Sequence, residues 1–199
     1  MNQTQEKVIT SARVEAKTLH ALLAGALTHA HKGEDLPRLN GVYLWREGGK
    51  IKAVATDRYR LIVGEIESEG EGESSPIRLA YTYAKDLSSK LSKEKGKVEL
   101  TLAGDLISIV LTGGTFTYTA HADDFPPYAH LFPAEGVEPI AMPYVSFNPS
   151  YFADYGKIAG KKAQVIVRQY KENHAYEIEL NGDLEGVSWK ALLMPMRKI

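Results

Sequence analysis

One order of elements recurs three times along the 199 residues: a short strand, a helix, then several strands. Helix starts return about every 65–68 residues, and Ala16-Lys17-x-Leu19 matches Ala84-Lys85-x-Leu87 letter for letter. Such a repeat constrains the fold strongly, because each unit must bury its apolar face against a neighbour. The first unit spans 8–67. VITSARV alternates as a strand, Leu19, Leu22, Leu23, Ala26 and Leu27 fall at helical spacing, and GVYLW, IKAVAT and RLIVGEI follow as strands around a REGG turn. The second spans 76–133, with IRLAY as a strand, AKDLSSKL as an amphipathic helix, and KVELTL, LISIVL and TFTYTAH as strands separated by AGD and TGG turns. The third begins at residue 144 with YVSF as a strand. Asn148 then caps a helix with Pro149 at its first position, and AQVIVRQY, AYEIEL and SWKALLMPM complete the unit. The acidic, glycine-rich run Glu65–Glu73 reads as an exposed loop and 134–143 as a linker. The fold class predicted is α+β, with helices on one face and antiparallel sheets on the other.

The net charge of −1 conceals a partition. The three helix-bearing segments 13–32, 85–97 and 148–162 carry +2, +3 and +2, which leaves −8 on the remainder. Basic helices on an acidic body suit a protein that meets phosphates on one surface, although chance lysine enrichment on solvated faces gives the same tally. Cysteine is absent, so disulfides, thiolate-bound zinc and thiol nucleophiles are excluded. The N-terminus lacks the layout of a secretory signal and no run approaches the roughly 18 apolar residues of a membrane span, so a cytoplasmic location is expected.

Catalysis finds little support. His20, His29 and His31 lack the converging carboxylate or histidine spacing of a metal site, and no GxSxG, Walker or GxGxxG motif occurs. Asp57, in ATDRYR, is expected to cap a turn or to pair with Arg58 or Arg60. No catalytic residue, metal or cofactor is expected.

Four motifs then point to one family. LPRLNGVYL…VATDRYRLIV resembles the middle domain of the bacterial DNA polymerase III beta subunit, the sliding clamp; DDFPPYAHLFP is similar to the family's exit from that domain; VSFNPSYFADYG and LLMPMR resemble its final half-domain. They follow the family's order from residue 36 to 197. The resemblance implies a DNA-clamp fold, with residues 1–133 as the middle domain and 144–199 as the last half-domain, in a shortened form such as a phage could encode.

It further implies a non-enzymatic processivity factor that encircles double-stranded DNA without sequence preference and binds short peptides of DNA polymerase and clamp-loader subunits. On the DNA side it points to His31, Lys32 and Arg38 in the loop after the first helix, with Lys85, Lys90, Lys93, Lys157 and Lys161 added from charge and helix position. The peptide pocket maps to Leu39, Thr56, Arg58, Tyr59, Arg60, Leu61, Pro126, His130, Leu131, Met194, Pro195, Met196 and Arg197, an apolar groove with an adaptable methionine wall. His130 stands where an Arg is common, and Arg58-Tyr59 replaces a Gly-His pair of some members. Family rings contain twelve repeats, so four chains of three repeats are expected to close a ring. The unpaired third repeat makes dihedral symmetry the expected form of this homo-tetramer. The alternative is an open clamp mimic that binds the same peptides, or another clamp, without encircling DNA.

Overall fold

The computed structural model describes residues 9–122, 125–141, 145–160 and 162–196. The first repeat opens with β1 (Ile9–Glu15), whose burial alternates strictly, with Ala12 and Val14 inward. Then comes α1 (Ala16–His29), which buries Leu19, Leu22, Leu23, Ala26 and Leu27. A meander follows, made of β2 (Val42–Glu47), β3 (Lys50–Thr56) and β4 (Arg60–Glu67). The second repeat comprises β5 (Ile77–Leu79), α2 (Tyr81–Leu91), β6 (Lys97–Ala103), β7 (Leu106–Leu111) and β8 (Gly114–Thr119). The third holds α3 (Pro149–Ala159), β9 (Gln164–Arg168), β10 (Tyr176–Asn181) and β11 (Ser188–Leu193). Asn148 caps α3 as expected, its side chain accepting from the Ser150 backbone N–H at 3.0 Å.

All strand pairings are antiparallel, in two sheets ordered β1-β6-β7-β8 and β5-β2-β3-β4-β11-β10-β9. The opening strands are therefore exchanged: β1 joins the meander of the second repeat and β5 that of the first. Each opening strand also touches the exit of its own repeat, through the bridges Arg13–Glu69 and Arg78–His121. The larger sheet runs on from the first repeat into the third by pairing β4 with β11.

The helices lie side by side with α1 in the middle, against α2 on one flank and α3 on the other, and α1 also packs on β3 and β4. At the seam the Trp189 indole wedges between two glycines. A Cβ built on Gly25 of α1 would stand 2.5 Å from the ring, and one on Gly64 of β4 also 2.5 Å. The absence of both side chains lets α1 and β4 close on the third repeat.

Three expectations change. Residues 145–148 are not a strand, and Tyr144 lies outside the described residues; an isolated strand has no ladder to join. The Glu65–Glu73 run is an exposed loop only from residue 68 onward, and that part is strapped down. Glu65 and Glu67 belong to β4, while the buried Arg46 guanidinium donates to the carbonyls of Gly72 (2.5 Å) and Gly70 (2.8 Å) and so straps the rest across the sheet edge. The helices proper are also less basic than their segments: α1 and α2 each carry +1 and α3 is neutral, because Arg13 and Lys97 lie in strands and Lys93 beyond α2.

Candidate functional site

Two surfaces carry the predicted residues. The first is the helix layer. Between α1 and α3 runs a groove of about 390 Å³ bordered by Lys17, His20, Thr28 and Lys157. Lys17 and Lys157 reach into solvent, their side chains 75% and 69% exposed, yet both hold acidic partners: Glu185 at 2.6 Å and Asp154 at 2.6 Å. Lys90 likewise pairs with Asp86. Lys85, Lys93 and Arg38 are exposed and make no ion pair among the described residues. Lys32 lies 5.8 Å from the Tyr81 ring centre, a cation–π contact that ties the loop after α1 to α2. His31 Nε2 meets Asp35 Oδ1 at 2.8 Å, and its backbone N–H donates to Leu39 and Thr56, so this loop is folded back on the sheet. Lys161 lies outside the described residues. Lys17, absent from the sequence-derived set, joins it because α1 starts beside the groove.

The second surface is a cleft of about 250 Å³ where the first and third repeats meet. It brings together Thr56, Arg58, Tyr59, Arg60, Leu61, Leu131 and Met194 from the predicted set, and adds Asn173, His174, Ala175 and Leu192. An adjoining hollow of about 210 Å³ shares Leu131, His174, Ala175 and Leu192 and is closed by His130, Val137 and Tyr170. Tyr59, Leu131 and Met194 are 59%, 49% and 40% exposed, a cluster of large apolar side chains facing water of the kind that marks a binding surface. Leu39, Pro126, Pro195 and Met196 do not line the cleft: Leu39 sits in a 3-10 turn (Pro37–Leu39) beside His31, and Pro126, Pro195 and Met196 stand outside its wall. Arg197 lies outside the described residues. The 173–175 turn was missed because it is polar and local, with nothing in the letters to show that β10 and β11 carry it to the seam.

The turn that shapes the cleft follows from Asp57. Its carboxylate accepts from the backbone N–H groups of Tyr59 and Arg60, both at 3.1 Å, and from Arg60 Nε at 2.9 Å. Arg58 takes a positive φ of 78° there, which turns Tyr59 outward. Arg60 is not a free rim cation. It is 9% exposed, donates to Asp154 Oδ2 at 2.7 Å and to the Thr28 carbonyl, and stacks 4.3 Å from the Tyr151 ring centre. Burial lowers the guanidinium's affinity for its proton, but Asp154 and Asp57 outweigh it and raise the pKa further; burial likewise pushes the Asp154 carboxyl up, and Lys157 and Arg60 together hold it below its usual range. Arg60 thus joins the cleft to α1 and α3.

Behind Arg60, His29 is fully buried, its ring 5.3 Å from that of Tyr155. Burial, with the nearby Arg60 charge, pushes its pKa down to about 3, so it stays neutral. Among the described residues no three His, Asp or Glu side chains form a cluster able to hold a metal ion, and no helix is long and apolar enough to cross a membrane.

The family model for the DNA polymerase III beta subunit central domain matches residues 13–126. Among solved structures, the DNA polymerase III beta subunit of Thermotoga maritima aligns with a TM-score of 0.79 and 18% identity, over 100% of this chain and 68% of that one. The sliding clamp of Caulobacter crescentus gives 0.77 at 20% identity, over 100% and 68%. The Pseudomonas aeruginosa clamp bound to griselimycin gives 0.78 at 17%, again over 100% and 68%. At these identities the structures establish the fold, and the chain spans about two thirds of their length. A search of curated protein sequences finds no match.

Proposed function

Because the chain belongs to the DNA polymerase III beta subunit family, we propose that it is a sliding clamp, which encircles duplex DNA and holds replication proteins on it through short peptides. The reading is non-catalytic and places the protein in the cytoplasm. One observation carries it: the three helices form a single layer whose central groove is flanked by two exposed lysines, Lys17 and Lys157. Such a surface meets phosphates without reading bases, which suits a protein that must slide. Lys85, Lys93, Lys32 and Arg38 extend it along the same layer and the adjoining loop. The apolar cleft around Tyr59, Leu131 and Met194 serves as the peptide site, with 134–143 as the linker that lets residues 1–133 and 144–199 form its two walls. Four chains in dihedral symmetry close the ring.

A second reading is an open mimic that keeps the peptide cleft and never surrounds DNA. It is favoured by the internal pairing of Lys17, Lys90 and Lys157, since a phosphate must displace an acidic partner at each. The two part on topology. Mixed with a clamp loader, ATP and a nicked circular plasmid, a ring co-elutes with the plasmid and is released when one cut linearises it. A protein that binds a clamp-binding peptide but never stays on the circle is the mimic. Deletion of 194–199 abolishes peptide binding and leaves the fold intact; unchanged affinity moves the peptide site elsewhere.

A further inference from the structure

We propose that the third repeat is completed by the third repeat of a second copy, through reciprocal exchange of the segment 145–147. The first two repeats show the rule. The bridging residue of each opening strand, Arg13 or Arg78, stands three positions before its helix; it bonds the exit of its own repeat, while its neighbours face the other repeat's meander. Val14 then lies opposite Val98, and Leu79 opposite Val42, with all four side chains buried.

The third repeat holds half of this arrangement. Ser146 also stands three positions before its helix, and its carbonyl accepts from the Met196 backbone N–H at 2.8 Å, on the exit of its own repeat. Among the described residues, the other side of the segment has no strand partner, and neither does the outer edge of β9, the last strand of its sheet. Beyond β9, the Ile140 N–H donates to the Gln169 carbonyl at 2.7 Å, which shows that residues 169, 167 and 165 turn their backbone groups outward by alternation. The rule places Phe147 opposite the second copy's Val165 and Val145 opposite its Val167. In place of the buried Val14–Val98 and Leu79–Val42 pairs, Phe147 and Val165 are only partly buried at the core's margin.

The helices agree. His20 of α1 bonds the backbone and side chain of Ser88 of α2 at 2.9 and 3.0 Å, at helix positions five and eight. The same positions of α3 are Ala153, which is exposed, and Gly156, where an added Cβ meets nothing within 4 Å. These small residues leave room for a symmetry-related helix. The occupant is a second copy of this chain because both halves of the missing contact, a free segment and a free edge, are present in the same repeat and are mutually complementary.

The exchange sets Ser146 of one copy opposite Ile166 of the other in a pair without mutual backbone hydrogen bonds, where Cα atoms stand roughly 4.5 Å apart, within reach of a disulfide. The chain contains no cysteine, so the background is empty. The S146C/I166C double variant, oxidised at micromolar concentration, is expected to give a covalent dimer and nothing larger on a denaturing gel, whereas S146C and I166C alone stay monomeric on it. In the native protein, Val165→Pro, which removes one outward N–H, is expected to halve the mass measured by light scattering while the circular dichroism spectrum holds. A double variant that folds yet does not cross-link, single variants that cross-link equally well, or a wild-type chain that is monomeric at tens of micromolar overturns the exchange. The proposal stands apart from ring closure on DNA. A cross-linked dimer never retained on circular plasmid defeats the ring and leaves the exchange intact; retention without the cross-link does the reverse.

Discussion

Arg60 and His29 sit one behind the other where the first repeat, α1 and α3 meet, and they make opposite demands on the same buried space. The Arg60 charge is balanced by Asp57 and Asp154, so Arg60→Met takes from both carboxylates the cation they share and leaves only Lys157 on Asp154. Breaking a largely buried pair from one side costs about 2–4 kcal/mol, and the variant is expected to melt roughly 5–15 °C lower; a loss under 2 °C refutes the strut. His29 resists charging. Its folded pKa, about 3, lies below the 6.5 of the free side chain, so as pH falls through 6.5 the unfolded chain takes up a proton that the folded chain refuses, and stability declines until about pH 3. Between pH 7 and pH 5 this term removes about 2 kcal/mol. Asp154, also held below its usual range, acts in the same sense but keeps its stabilisation until the solution is more acidic than about pH 4, so the pH 5–7 window isolates the histidine. Thermal melts of wild type should fall across that window and those of His29→Leu should stay nearly flat; parallel slopes reject the assignment. At this scale the sequence was informative only over short range. Asp57 as a turn cap is legible because its partners lie two and three residues ahead, whereas the bond from Arg60 to Asp154 joins residues brought together only by pairing of β4 with β11.

Helices and strands were legible wherever their period was clean. The alternation of β1 and the leucines of α1 correspond to buried faces, and the glycine pairs at 48–49 and 113–114 stand at hairpin turns. What periodicity cannot show is which strand pairs with which, so the exchange of β1 and β5 was out of reach, and residues 145–147 of the YVSF segment, patterned as a strand, are not one. Glycines inside elements were silent in the same way. Gly25 occupies a helix interior, where alanine ordinarily gains up to about 1 kcal/mol. Here an added methyl meets Trp189. Gly25→Ala is therefore expected to destabilise, by about 1–3 kcal/mol, and to change the fluorescence of one of the two tryptophans of the chain. Denaturant titration followed by fluorescence checks both, and a stabilised variant contradicts the wedge.

Across the whole molecule, the repeat and the family resemblance were legible from four scattered motifs, but the strength of the basic surface was overstated, since lysines adjacent to helices in sequence lie in strands or turns or are paired. Affinity for a short linear duplex should consequently be modest in its salt dependence. Four phosphate contacts, through Lys17, Lys85, Lys93 and Lys157, imply roughly a 100-fold loss between 50 and 200 mM salt, and the K17A/K157A variant should lower the logarithmic slope by about two. Fluorescence anisotropy across a salt series measures it, and an unaltered slope moves the DNA surface off the helices. The exchanged opening strands also govern how the chain is made. During synthesis β1 emerges first, but its partner β6 follows only after the entire first meander, for Glu15 waits for Lys97 and Ile9 for Ala103. The first repeat can therefore not mature on the ribosome before the second has been translated, and slow, long-range closure is the expected rate-limiting step of its folding.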